Sequence, residues 1–154
     1  MPLHTDASHT ITIEAPIERC FMFFTPAGEE LWVDGWQPQY LWPSDGRTEA
    51  GMVFTTGQGE EHTIWMLVDF DRRAHRSRYA RVTPGSRTGL VEVRCRALDA
   101  ERTEVSVSYM LTALSAAGAT ALQAFEGEAF ARMIDGWAVQ IAARRDALLA
   151  AHIR

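Results

Sequence analysis

From Gly51 to Leu114 the chain alternates apolar and polar residues in one run after another, and from Ala116 to Ala151 it holds no proline. A period of two belongs to a strand with one buried and one wet face. In "TEVSVSYMLTAL", Val105, Val107, Tyr109 and Leu111 alternate with Glu104, Ser106 and Ser108. "GLVEVRCRALD" repeats the pattern, with Val91, Val93, Cys95 and Ala97 opposite Glu92, Arg94 and Arg96. "GMVFTTGQ" and "HTIWMLVDF" flank the short "GQGEE" turn as a hairpin, and "SRYARVTP" adds a further strand. With a short strand over Ser8–Glu14, six or seven strands are expected. Their tight connections make the sheet antiparallel.

The Ala-rich segment from Ala116 to Ala151 reads as one long helix capped by Ser115. Leu122, Ala129, Phe130, Met133, Ile134, Trp137 and Ile141 fall on one broad face, with Glu128, Asp135 and Asp146 opposite. Two short helices are expected after the first strand, over "APIERCFMFFT" and "GEELWV". Together these elements make an α+β layering, a curved antiparallel sheet lying against a long C-terminal helix. At 154 residues the expectation is one domain, 1–154, with its core over about 8–149.

Composition narrows the partners. A formal charge of −5 argues against nucleic acid as the main partner. Cys20 and Cys95 are far apart in sequence and form no C-x-x-C pair, so a disulfide framework is not expected. "MPLHTDASHT" lacks the basic segment and apolar stretch of a signal peptide, and no apolar run suffices for a membrane span. A soluble, cytoplasmic monomer or homodimer is expected. The histidines show no metal-ligand spacing, "GQGEE" precedes a strand rather than a helix, and no G-x-S-x-G is present. Neither metal nor cofactor is expected.

"ITIEAPIERCFMFFT", "GEELWVDGWQPQYLWP", "TIWMLVDFD" and "VSVSYMLTALS" resemble the polyketide cyclase/dehydrase and lipid-transport superfamily, also called SRPBCC or START-like. The resemblance runs over roughly Ser8 to Leu149. It implies the helix-grip fold, with a deep cavity between the curved sheet and the long helix. Members of that superfamily bind lipids, sterols, hormones or polyketides there, some cyclise or dehydrate polyketides, and others activate a chaperone. The opening phrase I-x-A-P-x-E-x-x-F-x-F-F marks the fold well and the function poorly.

Candidate site residues follow from the rings. Residues 28–43 hold three of the five tryptophans and a tyrosine. Trp32 falls on the second short helix, and Trp36, Tyr40 and Trp42 share one side if their segment is extended. Such rings supply apolar area while offering a polar edge to a partner. Trp36, Phe54, Trp65, Tyr79, Tyr109, Phe130 and Trp137 are expected around one cavity, with Trp32, Tyr40 and Met133 beside them. Glu126 falls near the middle of the apolar arc of the long helix. A carboxylate there must be protonated, paired or facing a wet cavity. For Arg81 the parity of "RYARV" leaves two arrangements, and the one that buries Ala80 and Val82 and leaves Arg81 in water covers more apolar surface.

A carrier or sensor of a small hydrophobic ligand is the first functional reading, because aromatics abound and one inward acid is expected. The second is a cyclase- or dehydratase-type enzyme using Glu126 with Tyr79, Tyr109 or His62 as acid/base partners. The third is a chaperone-activator-like interaction module.

Overall fold

The computed structural model describes residues 3–154; residues 1 and 2 of the expected domain lie outside the described residues. Seven strands form one antiparallel sheet: β1 (His4–Ile13), β2 (Gln39–Trp42), β3 (Val53–Thr56), β4 (Thr63–Asp71), β5 (Arg76–Thr83), β6 (Arg87–Asp99) and β7 (Arg102–Ala113). Their spatial order is β1-β7-β6-β5-β4-β3-β2, so the two strands earliest in the chain occupy opposite edges. The segment joining them carries α1 (Ile17–Phe23) and α2 (Pro26–Glu29) across from one edge to the other.

Period-2 alternation produces these strands as expected. On β7, Val105, Val107, Tyr109 and Leu111 are buried and the residues between them are not. Bulges change the parity where the sheet bends. On β4, Trp65 and Leu67 face inward, the register shifts between Leu67 and Asp69, and thereafter Phe70 stacks on Phe21 at 5.3 Å. Gly89 permits a second close approach, since a Cβ there would collide with the Met110 carbonyl oxygen on β7.

Two elements differ from expectation. The second short helix covers Pro26–Glu29 rather than residues 28–33, because the Thr25 hydroxyl caps it by accepting from the Gly28 N–H at 3.1 Å and Pro26 takes its first position. The segment 116–151 is also not one continuous helix. It comprises α3 (Ala116–Ala121), a 3₁₀ turn over Leu122–Phe125, α4 (Gly127–Ala143) and α5 (Arg145–Ala150). Glu126 is extended (φ −137°, ψ 156°) and Gly127 adopts φ +54°, a conformation glycine takes without a Cβ penalty.

The long C-terminal helix is therefore the 17-residue α4, which packs against β1. Phe130, Ile134 and Ile141 supply its buried stripe, and Trp137 is half-buried beside them. Among the described residues no helix is long and apolar enough to cross a membrane.

Candidate functional site

The inner face of the sheet, the segment around α2, the 3₁₀ turn and α4 together surround a cavity of about 280 Å³. That is near the lower end of small-molecule sites, roughly 300–1,000 Å³. Its rings come from separate elements: Phe24, Trp36, Phe54 (β3), Trp65 (β4), Tyr79 (β5), Tyr109 (β7), Phe125 and Trp137 (α4). Phe54 and Trp65 stack at 5.7 Å, and Trp36 and Tyr79 meet Trp65 edge-on at 6.0 and 6.1 Å. Polar edges of these rings are tied to the walls. Trp36 Nε1–H donates to the Pro26 carbonyl at 3.0 Å, Trp65 Nε1–H to Thr56 Oγ1 at 2.9 Å, and the Tyr79 hydroxyl to the Phe24 carbonyl at 3.2 Å. With those polar edges partnered, the surface that faces the cavity is mostly apolar.

Two acids, Glu29 and Glu61, lie in this wall. Glu29, at the end of α2, lines the cavity and makes no hydrogen bond or ion pair through its carboxyl among the described residues. Desolvation pushes its carboxyl well above the ordinary carboxylate range. The two tyrosines that share the cavity respond in the same sense. Burial and the neighbouring Glu29 raise Tyr79 well above its ordinary value. Burial pushes Tyr109 up to about 12, although Arg81 acts in the opposite direction.

Two arginines lie in it as well. Arg81 is 7% exposed and Arg87 4%. Arg87 Nη2 donates to Glu61 Oε2 at 3.0 Å and Nη1 to Ser86 Oγ at 3.1 Å. Among the described residues Arg81 has no carboxylate partner. Its Nη2 reaches Thr83 Oγ1 at 3.4 Å, and its guanidinium lies over the Trp65 ring at 4.6 Å and the Phe125 ring at 5.9 Å. The Nε of each arginine is buried without an acceptor. Burial lowers the Arg81 pKa, but an arginine starts so high that it remains a cation.

Arg81 corrects the parity that apolar burial favours. Ser77, Tyr79, Arg81 and Thr83 are the buried face of β5, while Ala80 and Val82 are only half-buried on the other. A strand that borders a cavity need not turn its most apolar side inward. The residue across from Arg81 on β6 is Gly89, whose missing side chain lets the Met110 backbone of β7 pack close.

Other expected residues separate. Trp36, Phe54, Trp65, Tyr79, Tyr109 and Trp137 are brought together around the cavity. Phe130 is instead buried behind Tyr109, edge-on at 5.3 Å. Trp32 belongs to the core, its Nε1–H donating to the Phe23 carbonyl at 2.8 Å. Met133 packs half-buried against the core rather than lining the cavity. Tyr40 donates to Glu30 Oε2 at 2.9 Å and borders a different surface hollow. Trp42 is 52% exposed, because β2 carries a register shift between Tyr40 and Trp42 that ends their shared side.

Glu126 lies at the break before α4, half-buried and outside the cavity lining, since the helical wheel assumed a continuity that Gly127 removes. His62 is exposed and also outside it. Sequence reasoning missed Glu29, Arg87, Glu61 and Phe125. The first sits in a four-residue helix, Arg87 at the very start of β6 and Glu61 in a three-residue 3₁₀ turn, where periodicity has little to say.

No protein-family model matches the chain, and no curated protein matches it in sequence. Solved structures do match in shape. The Zhui aromatase/cyclase from Streptomyces sp. R1128 is 16% identical, with a TM-score of 0.65 over 92% of this chain and 95% of that one. Norcoclaurine synthase from Thalictrum flavum, solved with dopamine and hydroxybenzaldehyde, is 8% identical, with a TM-score of 0.63 over 91% and 87%. Ara h 8.0201 is 12% identical, with a TM-score of 0.63 over 96% and 99%. At these identities the likeness speaks for the fold alone. Seven antiparallel strands, two short helices bridging the sheet edges and the long C-terminal helix give this chain the helix-grip fold of the SRPBCC, START-like and Bet v1-like proteins.

Proposed function

We propose that this protein binds a small, largely apolar or aromatic ligand in the cavity between sheet and helix. The observation that carries the reading is a space of about 280 Å³ walled by rings from separate elements, with a few buried polar groups among them. A site of that make-up gains affinity from apolar burial and orientation from its few polar contacts. Norcoclaurine synthase, solved with two aromatic compounds, shows that a helix-grip protein can accommodate such molecules. The free, buried Cys20 and Cys95 suit the reducing conditions of a cytoplasmic carrier.

Native mass spectrometry of freshly purified protein tests the reading directly. A co-purifying small molecule that is lost on denaturation is expected. Trp36 and Trp65 offer a second readout, since both indoles line the cavity and ligand entry should alter their fluorescence. Absence of any bound species, together with unchanged fluorescence across an aromatic and fatty-acid panel, would overturn it.

Glu29 favours a second reading, that of an enzyme. A carboxyl held above its ordinary range beside Tyr79 and Tyr109 has the properties of a general acid/base. In that case Glu29→Gln abolishes turnover of a bound aromatic or polyketide-like substrate while leaving its binding intact.

A further inference from the structure

Resting on the reading of the cavity as a small-molecule site, we propose that its ligand is a carboxylic acid with an apolar body, whose carboxylate is received by Arg81 beside Arg87. The charge balance of the cavity is the first argument. Arg81 and Arg87 are both buried, and among the described residues the one carboxylate in contact with either is Glu61, which engages Arg87. Glu29, the other acid of the lining, pairs with neither. Arg81 is left without a carboxylate partner among the described residues, and an entering monoanion supplies one.

The partners of Arg81 are the second argument. Its hydrogen bond goes to a neutral hydroxyl, Thr83 Oγ1, itself 2.7 Å from Thr63 Oγ1. The Thr63 hydroxyl donates onward to the Glu61 carbonyl at 3.0 Å. The chain of donors leads away from Arg81 without bringing it an anion. Its Nε is buried and unsatisfied, and Nη1 makes no hydrogen bond among the described residues. A guanidinium with so few protein acceptors keeps donors to spare, and an entering carboxylate can take them up.

Geometry is the third. Aromatic rings meet Arg81 from two directions, Trp65 at 4.6 Å and Phe125 at 5.9 Å. Such contacts hold a guanidinium in place while leaving its in-plane donors for hydrogen bonds, and the planar fork of those donors matches a carboxylate. Away from the arginines, Phe54, Trp36 and Trp137 provide the apolar wall against which the body of the acid would lie.

The test is calorimetric titration of the intact protein with matched probes: 2-naphthoate and 2-naphthamide, octanoate and octanamide, and 2-naphthyl phosphate. In wild type at least one acid should bind about tenfold or more tighter than its amide, the scale expected of a charge-assisted contact. Arg81→Met should level the pair by weakening the acid while leaving the amide unchanged, and thermal melts report whether that variant is folded. Arg81→Lys, which keeps the charge and loses the fork, should retain part of the preference.

Equal affinity of acid and amide in wild type overturns the carboxylate assignment and leaves the small-molecule reading standing. The wild-type comparison holds whether or not the variants fold. Tighter binding of the phosphate than of 2-naphthoate overturns the monoanion. A preference for acid that survives in folded Arg81→Met overturns Arg81 as the receptor. Failure of every probe, joined to an empty native mass spectrum, removes the small-molecule reading and this proposal with it.

Discussion

Glu29 and Arg81 line the same cavity, and burial works against the charge of each, yet they can respond in different ways. A carboxyl deprived of water takes up a proton, and the upward displacement of Glu29 expresses that option. A guanidinium has no such option at any physiological pH. Arg81 keeps its cation and spreads part of the cost over the faces of Trp65 and Phe125. One polar group of the cavity therefore adapts its charge to the solvent, and the other waits for a counter-ion. Titration is the lever on the first and ligand chemistry on the second.

The largest stability effect is expected from the ring the two arginines share. Phe125 lies 5.9 Å from the Arg81 guanidinium and 5.4 Å from that of Arg87. Phe125→Ala should cost about 2 kcal/mol, less than a fully buried phenylalanine because this one is half-buried. Chemical denaturation measures the loss. An unchanged midpoint would show that the arginines are held without their shared aromatic neighbour.

Next comes the cation itself. Replacing an uncompensated buried charge by an apolar chain of similar length is often stabilising, so Arg81→Met should raise stability by about 1–2 kcal/mol in the unliganded protein. A lower Tm would mean that the ring contacts already compensate the charge, and the contrast with Glu29 would narrow.

Glu29→Gln sharpens the contrast through pH. The folded-state pKa of Glu29 lies above its unfolded value, so the native state binds more protons in the window between the two. Stability from this group is then present at low pH and declines as pH rises from about 4.5. Tyr40 and Tyr79, which sense the Glu29 charge, are both raised above their ordinary value and do not titrate in that window. Melts of wild type and Glu29→Gln should therefore diverge as pH rises, with the variant gaining. Parallel curves would mean that water reaches the carboxyl.

Glu126→Leu should do least, within about 0.5 kcal/mol, with no effect on ligand binding. The side chain makes no cap hydrogen bond at the start of α4 and stands outside the cavity. A marked loss of binding would return the acid role to Glu126 and remove it from Glu29.

How much was legible in the sequence depends on which interactions place a residue. Tyr109 sits on a strand whose alternation is unbroken, so its inward direction follows from local pattern. Trp65 sits on a strand with apolar residues on both faces, and pairing to β3 and β5 settled its side. The acid was anticipated in kind and misplaced in position: Glu126 looked internal on a continuous helical wheel, whereas the chain at Gly127 turns out of that helix. Glu29 offered no comparable signal, because a helix of four residues has no periodicity to read.

The alternating runs and the long apolar helical face determined by themselves that a curved antiparallel sheet would lie against a C-terminal helix, because burial of apolar surface acts on each element through its own repeat. The tertiary structure alone decided which polar groups enter the cavity. Apolar burial assigned Arg81 to water, yet cross-strand pairing turned the polar side of β5 inward. Arg87 and Glu61, 26 residues apart, met as an ion pair. The physical reason is that a cavity relaxes the demand for an apolar inner face, so at its wall the direction of a side chain follows from neighbouring strands rather than from its own hydrophobicity.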